Sequence, residues 1–375
     1  MVAMKKSFVI ALCNVVVVLH FVGSSTVVQA CTPSDRAALL EFRAKLKEPY
    51  IGVFDTWKGQ YCCNGWYGVS CDPNTHRVAG ITLRGESEDP IFQRAKRSGL
   101  MIGSISPAIC KLTSLSTIII ADWKGISGGI PNCITNLLFL RVVDLVGNRI
   151  SGVIPANIGR LQRLKVLNFA DNQISGGIPT SITRLTSLSH LDLRNNNVTG
   201  VIPVDIGRLK MLSRLLLTGN KISGQIPESL TRIYRLGDLE LAMNRITGPI
   251  PASLGKMSVL ATLNLDGNLV SGEIPGTLMT SSISNLNLSG NLIVGQIPNT
   301  FGPRSYFTVL DLSKNRLKGP IPASITAASF IGHLDVSHNH LCGKIPAGSP
   351  FDRLDATSFA YNDCLCGKPL GNCGK

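Results

Sequence analysis

The phrase Asn148-Arg149-Ile150-Ser151-Gly152-Val153-Ile154-Pro155 returns eight more times along this chain, ending at Pro179, Pro203, Pro227, Pro251, Pro275, Pro298, Pro322 and Pro346. The step is 24 residues, with one step of 23 between Pro275 and Pro298. Around the phrase lies a longer unit, L-x-x-L-x-L-x-x-N-x-I-S-G-x-I-P-x-x-I-G-x-L. A unit this short cannot bury its own apolar face, so copies must stack into a solenoid with one continuous core. That overrides the prior that 375 residues divide into two or more domains. Each L-x-x-L-x-L reads as a short parallel strand, and the strands line up as one long sheet on the concave side. The Leu and Ile positions point inward. The Asn side chain satisfies turn backbone that has no ladder partner. Gly permits the turn and Pro fixes it. The repeated positions are therefore scaffold.

Four segments follow. Residues 1–30 read as a secretory signal: Lys5 and Lys6, an apolar stretch from Phe8 to Val22, and Val28-Gln29-Ala30 as a cleavage site. Its removal lowers the formal charge from +14 to +12 and takes away Cys13. Residues 31–77 read as an N-terminal cap, 78–346 as about eleven repeats, and 347–375 as a Cys-rich C-terminal cap. Ten cysteines remain, clustered at the two ends that a solenoid must cover: Cys31, Cys62, Cys63 and Cys71 early, Cys342, Cys364, Cys366 and Cys373 late. In an exported chain they imply disulfides, not zinc. Cys110 and Cys133 hold near-equivalent places in adjacent repeats, so a fifth bridge is expected there. No second apolar run follows the last repeat, so no membrane span and no lipid anchor are expected.

Within the first cap, Thr32, Pro33 and Asp35 predict a capped helix start, with Asp35 closing a capping box. Ala38, Leu39, Phe42 and Leu46 share its apolar face, and Pro49 marks its end. A charged insertion, Arg84 to Ser98, interrupts the first repeat and predicts a surface loop, either tolerated or binding. Trp123 stands where repeat two should carry its Asn.

Binding falls to the positions that vary between copies. Strand alternation puts the residues six, four and two before each Asn on the concave surface. The candidates are Val142 and Asp144, Val166 and Asn168, His190, Asp192 and Arg194, Arg214 and Leu216, and Asp238 and Glu240. Such a mixed face suits a protein or glycan partner. Asp311 and Asp335 stack in neighbouring strands, but acid or amide fills that slot in eight of nine regular repeats, and an open sheet offers no desolvated cleft. Catalysis is not expected. Arg160, Arg184, Arg208, Arg232 and Lys256 each follow their Pro by five residues and form a ladder along one flank; Arg149, Lys221, Arg245 and Arg316 line another edge. These rows suit an acidic polysaccharide, with nucleic acid as the generic alternative and a solvated rim as the plain one. Asn197-Val198-Thr199 and Asn287-Leu288-Ser289 are glycosylation sequons. His333, His338 and His340 cluster in the last repeat, yet no metal is expected, and no cofactor-binding motif occurs.

The I-S-G-x-I-P step resembles the plant-specific class of leucine-rich repeats. That resemblance implies a right-handed α/β superhelix with a parallel concave sheet and disulfide-bonded caps. Asp35-Arg36-Ala37-Ala38-Leu39-Leu40, Cys62-Cys63, Trp57 and Trp66 resemble the amino-terminal cap of that class. The cap cysteines have the spacing of polygalacturonase-inhibiting proteins, which implies Cys31–Cys62, Cys63–Cys71, Cys342–Cys364 and Cys366–Cys373. The insertion and the Cys110/Cys133 pair depart from that pattern. A nearer resemblance is to the plant DNA-damage-repair/toleration family, carried by Arg84-Gly85-Glu86-Ser87-Glu88-Asp89, Ala121-Asp122-Trp123-Lys124-Gly125-Ile126, Pro350-Phe351 and Cys364-Leu365-Cys366-Gly367. The expectation is a secreted, non-catalytic binder of the plant wall, in defence or stress response, whose partner is an extracellular protein (a microbial hydrolase or a receptor) or an acidic wall polysaccharide. The alternatives are an inhibitor of microbial polygalacturonase-type hydrolases and an intracellular DNA-damage tolerance factor.

Overall fold

The computed structural model describes residues 31–373; the expected signal segment lies outside them. One sheet of twelve strands runs from Val69–Cys71 to Phe330–Asp335. Only its first pair is antiparallel; every later pair is parallel. The register is strict through the middle, where His190, Arg214, Asp238 and Thr262 sit side by side on successive strands. Strict register follows from the 24-residue unit, because each copy enters its strand with the same Leu pattern. Leu164, Leu167, Leu188, Leu191, Leu212 and Leu215 are fully buried between sheet and outer wall. The outer wall is a row of single 3-10 turns such as Thr180–Arg184 and Glu228–Arg232, one in each repeat except the one that carries Pro298.

The I-S-G stretch is more than a turn. Met101–Ser104, Lys124–Gly129, Arg149–Val153, Gln173–Gly177 and Asn197–Thr199 are strands of a second sheet. Two three-stranded sheets continue that side, through Ser223–Gly224, Arg245–Gly248 and Leu269–Val270, then Lys318–Gly319, His340–Lys344 and Cys364–Cys366. The motif hid these strands because two to six residues carry too little alternation to read. They exist because each stacked copy offers the next an edge to pair with.

The repeat Asn residues form a buried ladder. Asn196 Nδ2 donates to the carbonyls of Phe169 (2.8 Å) in the preceding repeat and Arg194 (3.0 Å) in its own. Its Oδ1 accepts from Ile174 N–H of the preceding repeat at 2.8 Å. Asn362 in the C-terminal cap closes the ladder, accepting from Leu341 N–H and donating to Val336.

Two local expectations change. The first helix spans Pro33–Arg43 and ends before Leu46, which instead pairs in a two-residue strand with Gly103. Leu46 stays buried, so its apolarity was real and its periodicity misleading. The capping box forms only by half: Thr32 Oγ1 accepts from Asp35 N–H, whereas the Asp35 carboxylate turns to Arg77. Arg77 Nε and Nη2 each donate to it at 2.8 Å, and Val78 N–H adds a third bond at 2.9 Å. A planar fork of two charged donors outcompetes one backbone N–H.

The insertion folds back onto the solenoid. It carries a short helix, Pro90–Ala95, whose buried Phe92 faces Trp123 with ring centroids 6.2 Å apart. Tyr67 Oη donates to Asp89 at 2.6 Å, Arg97 lies 4.2 Å from the Tyr50 ring, and Lys124 pairs with Glu86. Burial, together with the bond to Asp89, pushes the Tyr67 phenol well above its usual range.

The structure pairs Cys31 with Cys62, Cys63 with Cys71, Cys110 with Cys133, Cys342 with Cys364 and Cys366 with Cys373, with Cα separations of 4.3–5.9 Å. Among the described residues no helix is long and apolar enough to cross a membrane.

Candidate functional site: the concave face

The strands of the inner sheet are three residues long through the middle, so alternation holds only from six to four residues before each Asn. Two before the Asn the column is mixed: Ala170, Ala242, Ser289, Ser313 and Ser337 are buried, whereas Val146, Arg194, Thr218 and Asp266 stay half-exposed. The third expected column of contacts is thus kept in only four of the nine regular repeats.

Within those columns the candidates divide. Val142, Val166, Asn168, His190, Asp238 and Glu240 are half-exposed, and Arg214 is exposed. Asp144, Asp192 and Leu216 are buried at 8%, 2% and 5% exposure. Expecting open contacts at these three positions was wrong; the two acids are covered by arginines, Asp144 from a neighbouring strand and Asp192 from within its own repeat. Asp144 accepts from Arg84 Nη2 at 2.8 Å and from Asn168 Nδ2 at 3.0 Å. Asp192 is covered by Arg194, whose Nε and Nη2 donate to it at 3.0 and 2.8 Å. Arg194, itself half-exposed, also reaches to 3.9 Å from Glu240, and Arg214 Nε donates to Asp238 across the strand gap at 3.0 Å. The result is a lateral network of paired charges over repeats that share one register.

Its electrostatics follow from burial. Burial holds the His190 imidazole below its ordinary range; Arg194 and Arg214 add to this and Asp192, 4.0 Å away, opposes it. The middle of the face therefore carries a neutral ring beside fixed ion pairs at neutral pH. Asp122, behind Arg84, is shifted up by burial above all. Sequence reading missed Arg84 and Asp122 as members of this face. Arg84 was assigned to the insertion, yet it is the last residue of the strand Val78–Arg84 and pairs with Ala121.

Other candidates stand apart. Arg160, Arg184, Arg208, Arg232 and Lys256 each end a 3-10 turn on the flank and are exposed. Arg149, Lys221, Arg245 and Arg316 are exposed along the second-sheet side. Asn197 is exposed, opening the strand Asn197–Thr199. Asn287 is half-exposed in the inner sheet, but the Ser289 hydroxyl of its sequon is tied to Asp266 and to Asn287 Oδ1. The three late histidines do not converge: His333 stands exposed on the sheet, His338 stacks on Tyr361 with centroids 4.3 Å apart, and His340 contacts Asp363. Asp311 and Asp335 pair across strands, each accepting a backbone N–H from Ser313 or Ser337. Among the described residues, the one group with metal-ligand proximity is Cys31, Cys62 and Cys63, whose thiols are joined in disulfides.

Profile comparison matches residues 32–72 to "Leucine rich repeat N-terminal domain" and 140–198 to "Leucine rich repeat". Shorter repeat matches cover 211–233, 282–303 and 306–327. A "DNA damage-repair/toleration protein" of Arabidopsis thaliana is 55% identical over 131 residues, 35% of this chain and 35% of that protein. A "Polygalacturonase inhibitor" of Vitis vinifera is 32% identical over 141 residues, 38% of each. The alignments thus span little more than a third of these relatives. Among solved structures, a "plant ice-binding protein" superposes with a TM-score of 0.68 at 28% identity, covering 92% of this chain and 99% of the other. The ectodomain of the Arabidopsis receptor kinase HAESA, solved with a peptide hormone ligand, gives 0.67 at 28% identity, covering 83% and 54%.

Proposed function

The chain is a leucine-rich repeat protein of the plant extracellular type, and on that premise we propose that it is a secreted, non-catalytic binder that holds an extracellular protein or wall glycan on its concave face, in defence or stress response. Cleavage after Ala30 and the two disulfide-bonded caps belong to this reading. The observation that carries it is the lateral network from Asp144 to Glu240. Rigid, in-register strands present fixed ion pairs, a neutral imidazole and half-exposed Val142 and Val166 along one open surface. Preorganised side chains of mixed chemistry give specificity without reorganisation on binding. Five disulfides and receptor-ectodomain neighbours support the extracellular assignment. The exposed Arg and Lys ladder from Arg160 to Lys256 supports an auxiliary contact with an acidic wall polysaccharide.

The test is affinity capture from wall extracts. The mature protein should retain a partner that the His190/Arg194/Arg214/Glu240 alanine variant loses; equal capture by both would place binding elsewhere.

A second reading, inhibition of a microbial polygalacturonase-type hydrolase, is supported by the Vitis vinifera relative. Loss of pectinase activity on adding micromolar protein supports it; unchanged activity across a fungal panel removes it. The relative's name also suggests an intracellular DNA-damage tolerance factor. A fluorescent fusion separates that reading, since intracellular signal would overturn export.

A further inference from the structure

The concave face proper has its guanidinium groups neutralised: Arg84 by Asp144, Arg194 by Asp192 and Glu240, Arg214 by Asp238. One cluster at its border does not. Arg141, Arg163 and Lys165 stand exposed just before the strands Val142–Asp144 and Val166–Asn168, and among the described residues no carboxylate lies within ion-pair distance of them. Arg141 and Arg163 line a hollow of about 490 Å³ together with Ser114, Ser116, Phe139 and the turn at Asp72 and Thr75, and Lys165 is tied next to it through its N–H on the Arg141 carbonyl. The Asp72 carboxylate is engaged there by Thr75 and Asn74, which hold it below the usual carboxylate range. Phe139, about half exposed, forms one wall, and the Arg163 guanidinium sits 4.8 Å from its ring centroid, which orients that cation. Leu138 beside it is equally exposed.

We propose that this hollow is a docking subsite for an acidic, apolar-rich peptide segment of the protein partner. The proposal rests on reading the concave face as a protein-binding surface, and it deepens that reading by giving the chemistry of one end. Two unpaired guanidinium groups in the lining, with Lys165 beside them, against one engaged carboxylate call for an anionic occupant. Planar guanidinium groups hold carboxylates through two parallel hydrogen bonds. The choice of peptide over a uniformly anionic polysaccharide comes from Leu138 and Phe139. An exposed Phe139 in the lining under the Arg163 guanidinium, with exposed Leu138 next to it in the chain, matches a segment that alternates Asp or Glu with Leu or Phe. Arg163, Phe139 and Arg141 also adjoin Val142 and Val166 in sequence or across strands, so one extended segment can leave the hollow along the half-exposed valines.

The probe is a fluorescent peptide of repeating Asp-Phe-Glu-Leu, with its Asn/Gln counterpart and a uronate oligosaccharide of equal charge as controls. The acidic peptide should bind the mature protein, weaken with salt, and outbind both controls. Arg141→Glu with Arg163→Glu should lower its affinity at least about ten-fold, by replacing attraction with repulsion at the rim. Arg141→Lys with Arg163→Lys should keep part of it, and Phe139→Ala should weaken it several-fold. These side chains are exposed, so melting temperatures should not move. No binding, equal binding by the charge-reversed variant, or a uronate oligomer that matches the peptide while ignoring Phe139→Ala would overturn the proposal, the last in favour of a polysaccharide. The His190/Arg194/Arg214/Glu240 variant is the second arm. Peptide binding retained in that variant, with partner capture unchanged from wild type, would sink the middle-face reading and leave this subsite standing.

Discussion

Asn148 and Asn196 occupy the same slot in their repeats, yet their bonds differ. Asn196 Oδ1 accepts from Ile174 N–H, whereas Asn148 Oδ1 is buried without a partner. The difference comes from repeat two, where Trp123 replaces the ladder Asn and Ile126, which the strand register makes the counterpart of Ile150, does not donate to Asn148 Oδ1. Asn196→Ala strands a buried N–H and several carbonyls; Asn148→Ala strands carbonyls only. The first should therefore cost about 1–3 kcal/mol more than the second, the desolvation penalty of one unpaired donor, measured by urea unfolding of the two variants. Asp35 gives a second prediction at this scale. Its carboxylate is buried, a circumstance that alone would raise its pKa, but the Arg77 fork and Val78 N–H win and hold it below the ordinary value. A depressed folded pKa means stability that is complete above the unfolded value and lost as pH falls through the folded one. Asp35→Asn should destabilise the cap by about 2–3 kcal/mol, less than a fully buried pair because Arg77 keeps contact with water. It should also flatten the acid limb of the stability profile below about pH 4.

Among elements, the insertion is the one whose nature changed most. A run of mixed charges read as a surface loop, and its ends do lie on the surface. The centre is a helix anchored by Phe92 on Trp123, with polar ties to the first cap. Phe92→Ala should cost about 3 kcal/mol, the lower range for removing a buried Phe side chain, and should expose Arg94 and Arg97 to trypsin. Unchanged proteolysis of the variant would mean the polar ties hold the segment without Phe92. The same element explains why Trp123 departs from the repeat: an Asn there would complete the ladder but leave Phe92 nothing to cover. The inner strands show the converse. Their existence and order were legible from the Leu spacing, but which side chains remain open was not, because Asp144 is covered by an arginine on a strand 60 residues away and Asp192 by Arg194, two residues past it in the same repeat.

Across the whole molecule, a solenoid has two ends and no other closure. The C-terminal cap buries Phe351 and Phe359 against each other, pairs Cys364–Cys366 with His340–Lys344, and supplies Asn362 to the ladder. Deleting residues 347–375 should leave the last repeat with unpaired edges and apolar side chains, so the truncated chain should aggregate on heating well below the melting temperature of the intact protein. Light scattering during a thermal ramp reads this directly, and coincident onsets in both chains would show that the cap is dispensable. At this scale the solenoid, its period and its basic flank were readable from one aligned phrase, because nearest-neighbour stacking makes each copy report the same geometry, and the capped ends were readable from the terminal cysteine clusters. The second row of strands, the covering of the concave acids and the cationic hollow beside Phe139 were decided by the tertiary structure alone. They depend on how side chains from different repeats meet across a strand gap, and a linear pattern records which residues are equivalent but not which ones touch.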